Sequence, residues 1–183
     1  MIDPLPTGEI LVVTGPPGSG KSTVAAAFVA QLDRAVVVDG DAFLQSIRRG
    51  WIPPWEPASQ AQNETVITAT ARAADAYAAG NYAVVVEGIV GPWFLHRFTE
   101  AVRARVHYAV LRPSAEVALH RATSRGEPWL VDPDPIMQMY RAFADLGDYE
   151  RFVMDSTDLD VEATVAALGD ALGAGRLALS VAH

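Results

Sequence analysis

Eight residues, Gly15-Pro-Pro-Gly-Ser-Gly-Lys-Ser22, fill every fixed position of the pattern G-x-x-x-x-G-K-[ST]. That pattern constrains the fold around it, because it has to leave a buried strand and open a helix. Both flanks comply: Glu9–Thr14 is an apolar, β-branched run, and Val24, Phe28 and Leu32 recur at four-residue spacing after the loop. Gly15, Gly18 and Gly20 can adopt backbone conformations closed to other residues, so successive N–H groups turn inward around phosphate oxygens at the positive end of a helix. Gly15, Pro16, Pro17, Gly18, Ser19, Gly20, Lys21, Ser22 and Thr23 are therefore the expected nucleotide contacts. Lys21 reaches the β- and γ-phosphates, and Ser22 ligates Mg²⁺. Lys21 is also the only lysine of the chain, the other thirteen basic side chains being arginines.

Apolar runs alternate with helical periodicity along the rest of the chain. Glu9–Thr14, Ala35–Asp39, Tyr82–Glu87, Val106–Leu111 and Tyr149–Asp155 read as five strands. Such alternation predicts an α/β fold, a three-layer α/β/α arrangement around a five-stranded parallel sheet, with a small helical lid. Ligands of these sheets sit beyond the carboxyl ends of the strands, so polar residues there are site candidates. Asp39-Gly-Asp41 ends the second strand, which is expected beside the first. Asp41 is the first choice for a general base and Asp39 the second, with Asp39 also a partner for magnesium; the plain alternative is a turn and a helix cap at Asp41. Glu87 closes the third strand after four apolar residues, where a carboxylate orients magnesium-bound water.

Between these strands lie the candidate acceptor residues. Trp51-Ile-Pro-Pro-Trp55 is too rich in proline for a helix interior or a central strand. Trp51 and Trp55 either wall a substrate site or pin a surface loop to the core, and Arg48 offers an anion contact. Ser59-Gln-Ala-Gln62 has the form of a capping box opening a helix to Gly80, on which Asn63 reads as an exposed residue or a substrate contact. Trp93 borders the same region. Arg121 and Arg125, one helical turn apart, begin a lid over 121–135 that closes on phosphates; a solvated helix face is the alternative. Asp134-Pro135 is the expected cap of the following helix. Asp155, Ser156 and Thr157 form a loop beside the adenine, and 176–181 is a tail of unassigned structure.

Composition narrows the partners. The 183 residues suit a single domain, and the absence of cysteine excludes disulfides and thiolate chemistry. A net charge of −8 argues against a broad nucleic-acid interface. No run approaches the ~18 apolar residues of a membrane span, so a cytoplasmic protein without membrane contact is expected. The four histidines lack metal-ligand spacing. With a single lysine, spent on the phosphate loop, no N-K-x-D element for guanine exists, which favours ATP over GTP.

These features together resemble small-molecule kinases of the phosphate-loop superfamily, the group containing chloramphenicol phosphotransferase, gluconate kinase, adenylylsulfate kinase and zeta-toxin-like kinases. GPPGSGKS at 15–22, VDGD at 38–41, VVVEG at 84–88, LRPS at 111–114 and RATSR at 121–125 carry the resemblance. It implies transfer of a phosphoryl group from ATP with Mg²⁺ to a hydroxyl of a metabolite or antibiotic, by a monomer or homodimer. It maps the strand-two acid onto Asp39 or Asp41 and the lid arginines onto Arg121 and Arg125. Ala42-Phe43 stands where adenylylsulfate kinases carry Asn and Arg, and the tryptophan loop is unlike the gluconate kinase acceptor segment. A regulatory ATPase switch, or a kinase of nucleotides or polynucleotide ends, is the alternative.

Overall fold

The structure, a computed structural model, describes residues 4–126 and 130–179. Its centre is a five-stranded, all-parallel sheet of β1 (Ile10–Thr14), β2 (Ala35–Asp39), β3 (Ala83–Glu87), β4 (Val106–Leu111) and β5 (Val153–Met154), in the order β2-β3-β1-β4-β5. β1, β3 and β4 are buried along their whole length, which is why they read as continuous apolar runs without alternation. β2 lies at an edge and leaves Val37 exposed. Helices cover both faces: α1 (Lys21–Val29) packs with α7 (Val161–Gly173), and α3 (Gln60–Ala79) packs with α4 (Pro92–Glu100). The alanines of α3 permit that closeness, Ala71 and Ala74 being fully buried. The remaining helices are α2 (Gly40–Gln45), α5 (Ala115–Thr123) and α6 (Pro133–Ala142). Among the described residues no helix is long and apolar enough to cross a membrane.

The sheet order corrects one expectation. The second strand does not lie beside the first, because β3 is inserted between them and pairs with both. The last strand is also shorter than its sequence suggested. Residues Gly147–Phe152 wind into a 3₁₀ helix, leaving two residues for β5. Side chains three apart eclipse on a 3₁₀ helix, so Tyr149 and Phe152 both reach the buried ring of Tyr108, at 6.3 and 5.6 Å between centroids. The tail fills the space that a longer β5 would have taken: Tyr108 N–H donates to Leu177 O at 2.9 Å and Leu179 N–H to Val106 O at 3.0 Å. The outer edge of β4 is thus covered by β5 above and by an antiparallel segment below.

Two helix starts differ as well. Ser59 has helical dihedrals and caps nothing; its hydroxyl turns back to Glu56 O and Pro54 O, since a 3₁₀ turn at Pro57–Ser59 already precedes α3. α6 is capped by Asp132 rather than Asp134, with Asp132 Oδ1 accepting from Asp134 N at 3.0 Å. Both prolines then fall in the first turn, where their missing N–H groups have no helical partner to lose. At the end of β4, Arg112 forms a two-pronged pair with Glu150, at 2.8 Å for each nitrogen, and donates to Phe143 O at 2.8 Å. This clamp fixes the C-terminal end of α6 against the sheet.

Candidate active site

The phosphate loop leaves β1 and folds tightly against its neighbours. Gly15 has φ +147°, and a Cβ there would lie 2.1 Å from Leu111 O. Gly18, at φ +79°, would place a Cβ 2.0 Å from Ala118 O. Only glycine permits both the backbone conformation and the approach. Lys21 is the first residue of α1, and its Nζ donates to Gly15 O and Pro16 O, each at 3.1 Å. Burial lowers its pKa, Asp41 and Glu87 oppose that fall, and Arg125 adds to it.

Strand register gathers the carboxylates. Asp39 lies opposite Glu87, which in turn lies opposite Val13, one residue before the loop strand ends. Of the two strand-end acids, Glu87 therefore stands on the strand beside the loop strand, and Asp39 one strand farther out. Close approach of Gly40 to the Glu87 carbonyl, 3.2 Å from a Cβ built there, draws the two strand ends together. Asp39 caps α2, its Oδ1 accepting from Asp41 N at 2.8 Å and Ala42 N at 3.2 Å. The cap expected at Asp41 belongs to Asp39, which leaves the Asp41 carboxylate unspent at the open end of the cleft. Asp41 presents surface to water but is flanked by protein across a concave wall; this desolvation raises its pKa, Lys21 lowers it and Asp39 raises it again. Glu87 is 6% exposed, and burial raises its pKa against the pull of Lys21, with Ser22 also favouring the charged form.

Three cavities meet along this edge. The first, of about 350 Å³, lies between the loop and the start of α7 and is lined by Ser19, Thr23, Arg121, Arg125 and Ser156. Ser19 Oγ and Ser156 Oγ are buried there without a hydrogen-bond partner among the described residues. Two orphaned hydroxyls beside a glycine-rich helix start fit a ligand rich in oxygen and nitrogen, as a nucleotide is. Of the expected adenine loop, Ser156 alone lines this cavity. Asp155 and Thr157 hold the turn instead, Thr157 donating to Asp155 and its hydroxyl accepting from Ser114 N at 2.9 Å.

The second cavity, of about 490 Å³, joins Lys21, Ser22 and Arg125 to Asp41, Trp51 and Trp55. Ser22, Glu87 and Asp39 are the candidate magnesium partners. Among the described residues no three or more His, Asp or Glu side chains form a metal cage. A sparse set still suits Mg²⁺, which keeps several waters and leans on one or two protein oxygens plus substrate phosphates.

The third cavity, of about 260 Å³, opens from the second at Asp41 and runs beneath the tryptophan loop between α3, α4 and α6. Trp55 and Trp93 line it, and the Trp93 ring meets Phe143 edge-on at 5.1 Å. The loop is not pinned by its tryptophans. The Gln62 amide brackets Ile52 with two 2.8 Å bonds, and Asn63 Nδ2 donates to Pro54 O at 2.8 Å. On the far wall Thr14 Oγ1 accepts from Val90 N at 2.9 Å and Tyr108 Oη donates to Val90 O at 2.7 Å. Arg48 is exposed and lines none of these cavities. Asn63 does line the third, as do Thr70 and Gln138, which the helical pattern gave no reason to select. Arg121 and Arg125 do come together beside the loop, at the last turn of α5 and just past it. Residues 127–129 of the expected lid over 121–135 lie outside the described residues.

Comparisons with known proteins agree with this geometry. The fold is similar to the tunicamycin resistance protein of Deinococcus radiodurans (TM-score 0.66, 15% identity, covering 94% of this chain and 98% of that one). It is similar also to shikimate kinase from Acinetobacter baumannii in complex with shikimate (TM-score 0.66, 18% identity, 94% and 96% covered). A sugar kinase from Janibacter sp. gives a TM-score of 0.63 at 20% identity, with 88% and 90% covered. A search of curated proteins finds no match. The family model described as the AAA domain matches residues 10–146, from the first residue of β1 to the turn after α6. The chain thus belongs to the AAA domain family and has the three-layer fold of phosphate-loop kinases.

Proposed function

We propose that this protein is an ATP-dependent phosphotransferase that moves the γ-phosphoryl group to a hydroxyl of a small molecule. The observation that carries the reading is the position of Asp41, on the rim shared by the Lys21 cavity and the apolar cavity beneath the tryptophan loop. A hydroxyl held in the apolar cavity meets a carboxylate on one side and the phosphate loop on the other.

The residues divide the work accordingly. Loop N–H groups and Lys21 bind the β- and γ-phosphates, and Lys21 gives up its contacts to Gly15 O and Pro16 O for them. Ser19, Thr23 and Ser156 bind the remainder of the nucleotide. Ser22 and Glu87, with Asp39 behind them, would hold Mg²⁺, whose charge offsets that of the phosphates. Asp41 accepts the acceptor's proton as the acceptor oxygen bonds to the γ-phosphorus, and the bond from that phosphorus to the bridging oxygen breaks, leaving ADP with the electron pair. Arg121 and Arg125 stabilise the charge that spreads over the transferring group, a role worth ~10³–10⁵ in rate in comparable enzymes. The whole chain acts as one catalytic domain in an intracellular setting where ATP is abundant.

The test is transfer of label from γ-labelled ATP to pooled alcohols in the presence of Mg²⁺. Label in an organic product, lost in Lys21→Ala, is the expected result. Undiminished turnover by Lys21→Ala, or label recovered only as inorganic phosphate from every pool, would refute phosphoryl transfer to an alcohol.

A further inference from the structure

The cavity beneath the tryptophan loop has a distinct chemical character, and we infer that it selects an uncharged alcohol with a compact apolar body and excludes anionic acceptors. The inference rests on the phosphotransferase reading for its reaction, but its selectivity is argued from the cavity walls alone.

Charge comes first. Among the described residues lining this cavity, Asp41 is the only charged one. Arg121 and Arg125 face the other two cavities, beside the phosphate loop. A carboxylate or phosphate carried on the acceptor would be stripped of water with no guanidinium or ammonium to receive it, and would stand near a like charge. Burying an unpaired ion is the most unfavourable arrangement such a site can offer.

The polar atoms on the walls say what is accepted instead. Ser59 Oγ gives its proton to Glu56 O at 2.7 Å or Pro54 O at 3.0 Å, so toward Asn63 it can only accept. Pro54 O also only accepts. The amide group facing both must therefore be the Asn63 NH₂, as its 2.8 and 2.9 Å contacts have it. Oδ1 is the atom left over. Gln138 is used in the same sense, its Nε2 donating to Trp55 O at 3.3 Å, and the Thr70 hydroxyl donates to Val66 O at 2.9 Å. The wall side chains thus keep neutral groups of both kinds, Asn63 Oδ1 and the Thr70 oxygen as acceptors and the second Gln138 N–H and the Trp55 and Trp93 indole N–H groups as donors, a set that a hydroxyl matches in either sense and that holds no positive charge for an anion.

Size completes the description. A buried apolar cavity of about 150 Å³ admits benzene. At about 260 Å³, this one suits a substituted single ring or a bicyclic body of similar bulk. Trp55, Trp93 and Phe143 supply flat aromatic walls for it.

Two probes separate the charge from the shape: 4-ethylbenzyl alcohol and 4-(hydroxymethyl)benzoate share the ring and the reacting hydroxymethyl group. Binding to the full chain is followed by tryptophan fluorescence and calorimetry without ATP, and transfer by label from ATP. The neutral alcohol should bind at least tenfold tighter and accept label with the higher kcat/KM. Gln138→Lys supplies a cation at an exposed position of α6 that can still donate to Trp55 O. It should raise the affinity for benzoate relative to that for the neutral alcohol about tenfold. Equal or tighter benzoate binding by the unmodified chain, or binding of neither probe, overturns the inference; label entering benzoate at the higher rate does so too while leaving the phosphotransferase reading intact. Preferential binding of the neutral alcohol with no label in any alcohol supports the selectivity and defeats the reaction.

Discussion

Thr14→Val tests how the end of β1 builds the wall of the apolar cavity. The substitution keeps the shape of a fully buried side chain and removes the oxygen that accepts from Val90 N at 2.9 Å. Val90 is 2% exposed, so no water replaces the lost acceptor. An unsatisfied buried donor costs about 1–3 kcal/mol. At ~2.1 cal/mol/K of unfolding entropy per residue, a chain of 183 residues loses about 2.6 °C of Tm per kcal/mol, so a fall of ~3–8 °C is expected. Tyr108→Phe removes the donor to the other side of the same residue, Val90 O at 2.7 Å, and should cost a similar amount. Both bonds hold one short loop, so the double variant should depart from additivity by ~0.5 kcal/mol or more. Thermal unfolding gives the stabilities. Titration with ATP and with 4-ethylbenzyl alcohol then locates the damage: alcohol affinity should fall several-fold, and ATP affinity should stay within twofold, because Val90 lines the apolar cavity and neither of the other two. A Tm shift below ~1 °C, or equal losses for both ligands, would refute the reasoning.

Glu87→Gln should raise the Tm of the nucleotide-free protein at neutral pH while removing magnesium-dependent turnover. The native pKa of Glu87 is raised by burial, so its protonated form is the one folding favours; that contribution is full below the unfolded pKa and is lost as pH rises through the native one. The gap between Glu87→Gln and the parent should accordingly shrink when melting is repeated at acid pH. Asp41, also raised, should give the rate of transfer an acidic limb lying above the ordinary aspartate value of 3.8, and Asp41→Asn should lower kcat with little change in ATP affinity. Gly18→Ala and Gly20→Ala isolate a clash from a backbone preference: both sites have positive φ, but only the first meets a carbonyl, at 2.0 Å against nothing within 4 Å. Gly20→Ala should cost about 1–2 kcal/mol in thermal unfolding and Gly18→Ala clearly more.

What the sequence disclosed followed the range of the interaction. The phosphate loop and its helix are specified by contiguous residues, so GPPGSGKS, Lys21 and Ser22 could be placed without a partner element. The buried strands were legible because β1, β3 and β4 are apolar on both faces. Their order was not, since Val36 pairs with Val84 and Val84 with Ile10 through backbone bonds that carry no residue code. That single inversion puts the strand ending in Glu87, and not the one ending in Asp39, beside β1. Local competition explains the smaller errors: two Asp-Pro pairs, 132–133 and 134–135, are chemically equivalent caps, and the first one won. Tyr149–Phe152 has the β-propensity of a strand but is recruited into a 3₁₀ turn by the ring of Tyr108.

The acceptor cavity was hidden for a further reason. Asn63 reads as an exposed residue or a substrate contact, and nothing in the pattern singles out Thr70 or Gln138, because periodicity reports which way a side chain points and not what is opposite. α3, α6 and the tryptophan loop enclose a space only when the Arg112–Glu150 clamp fixes the end of α6 and the Gln62 and Asn63 amides fix the loop. Each of those contacts joins residues of ordinary composition across 9 to 38 positions of sequence. Selectivity can therefore change by substitution at positions such as 66, 70 and 138 without touching the phosphate loop, Asp41 or the sheet. A scaffold arranged this way keeps one donor site and admits many acceptors, and its members should diverge most on the α3 and α6 faces that line the third cavity.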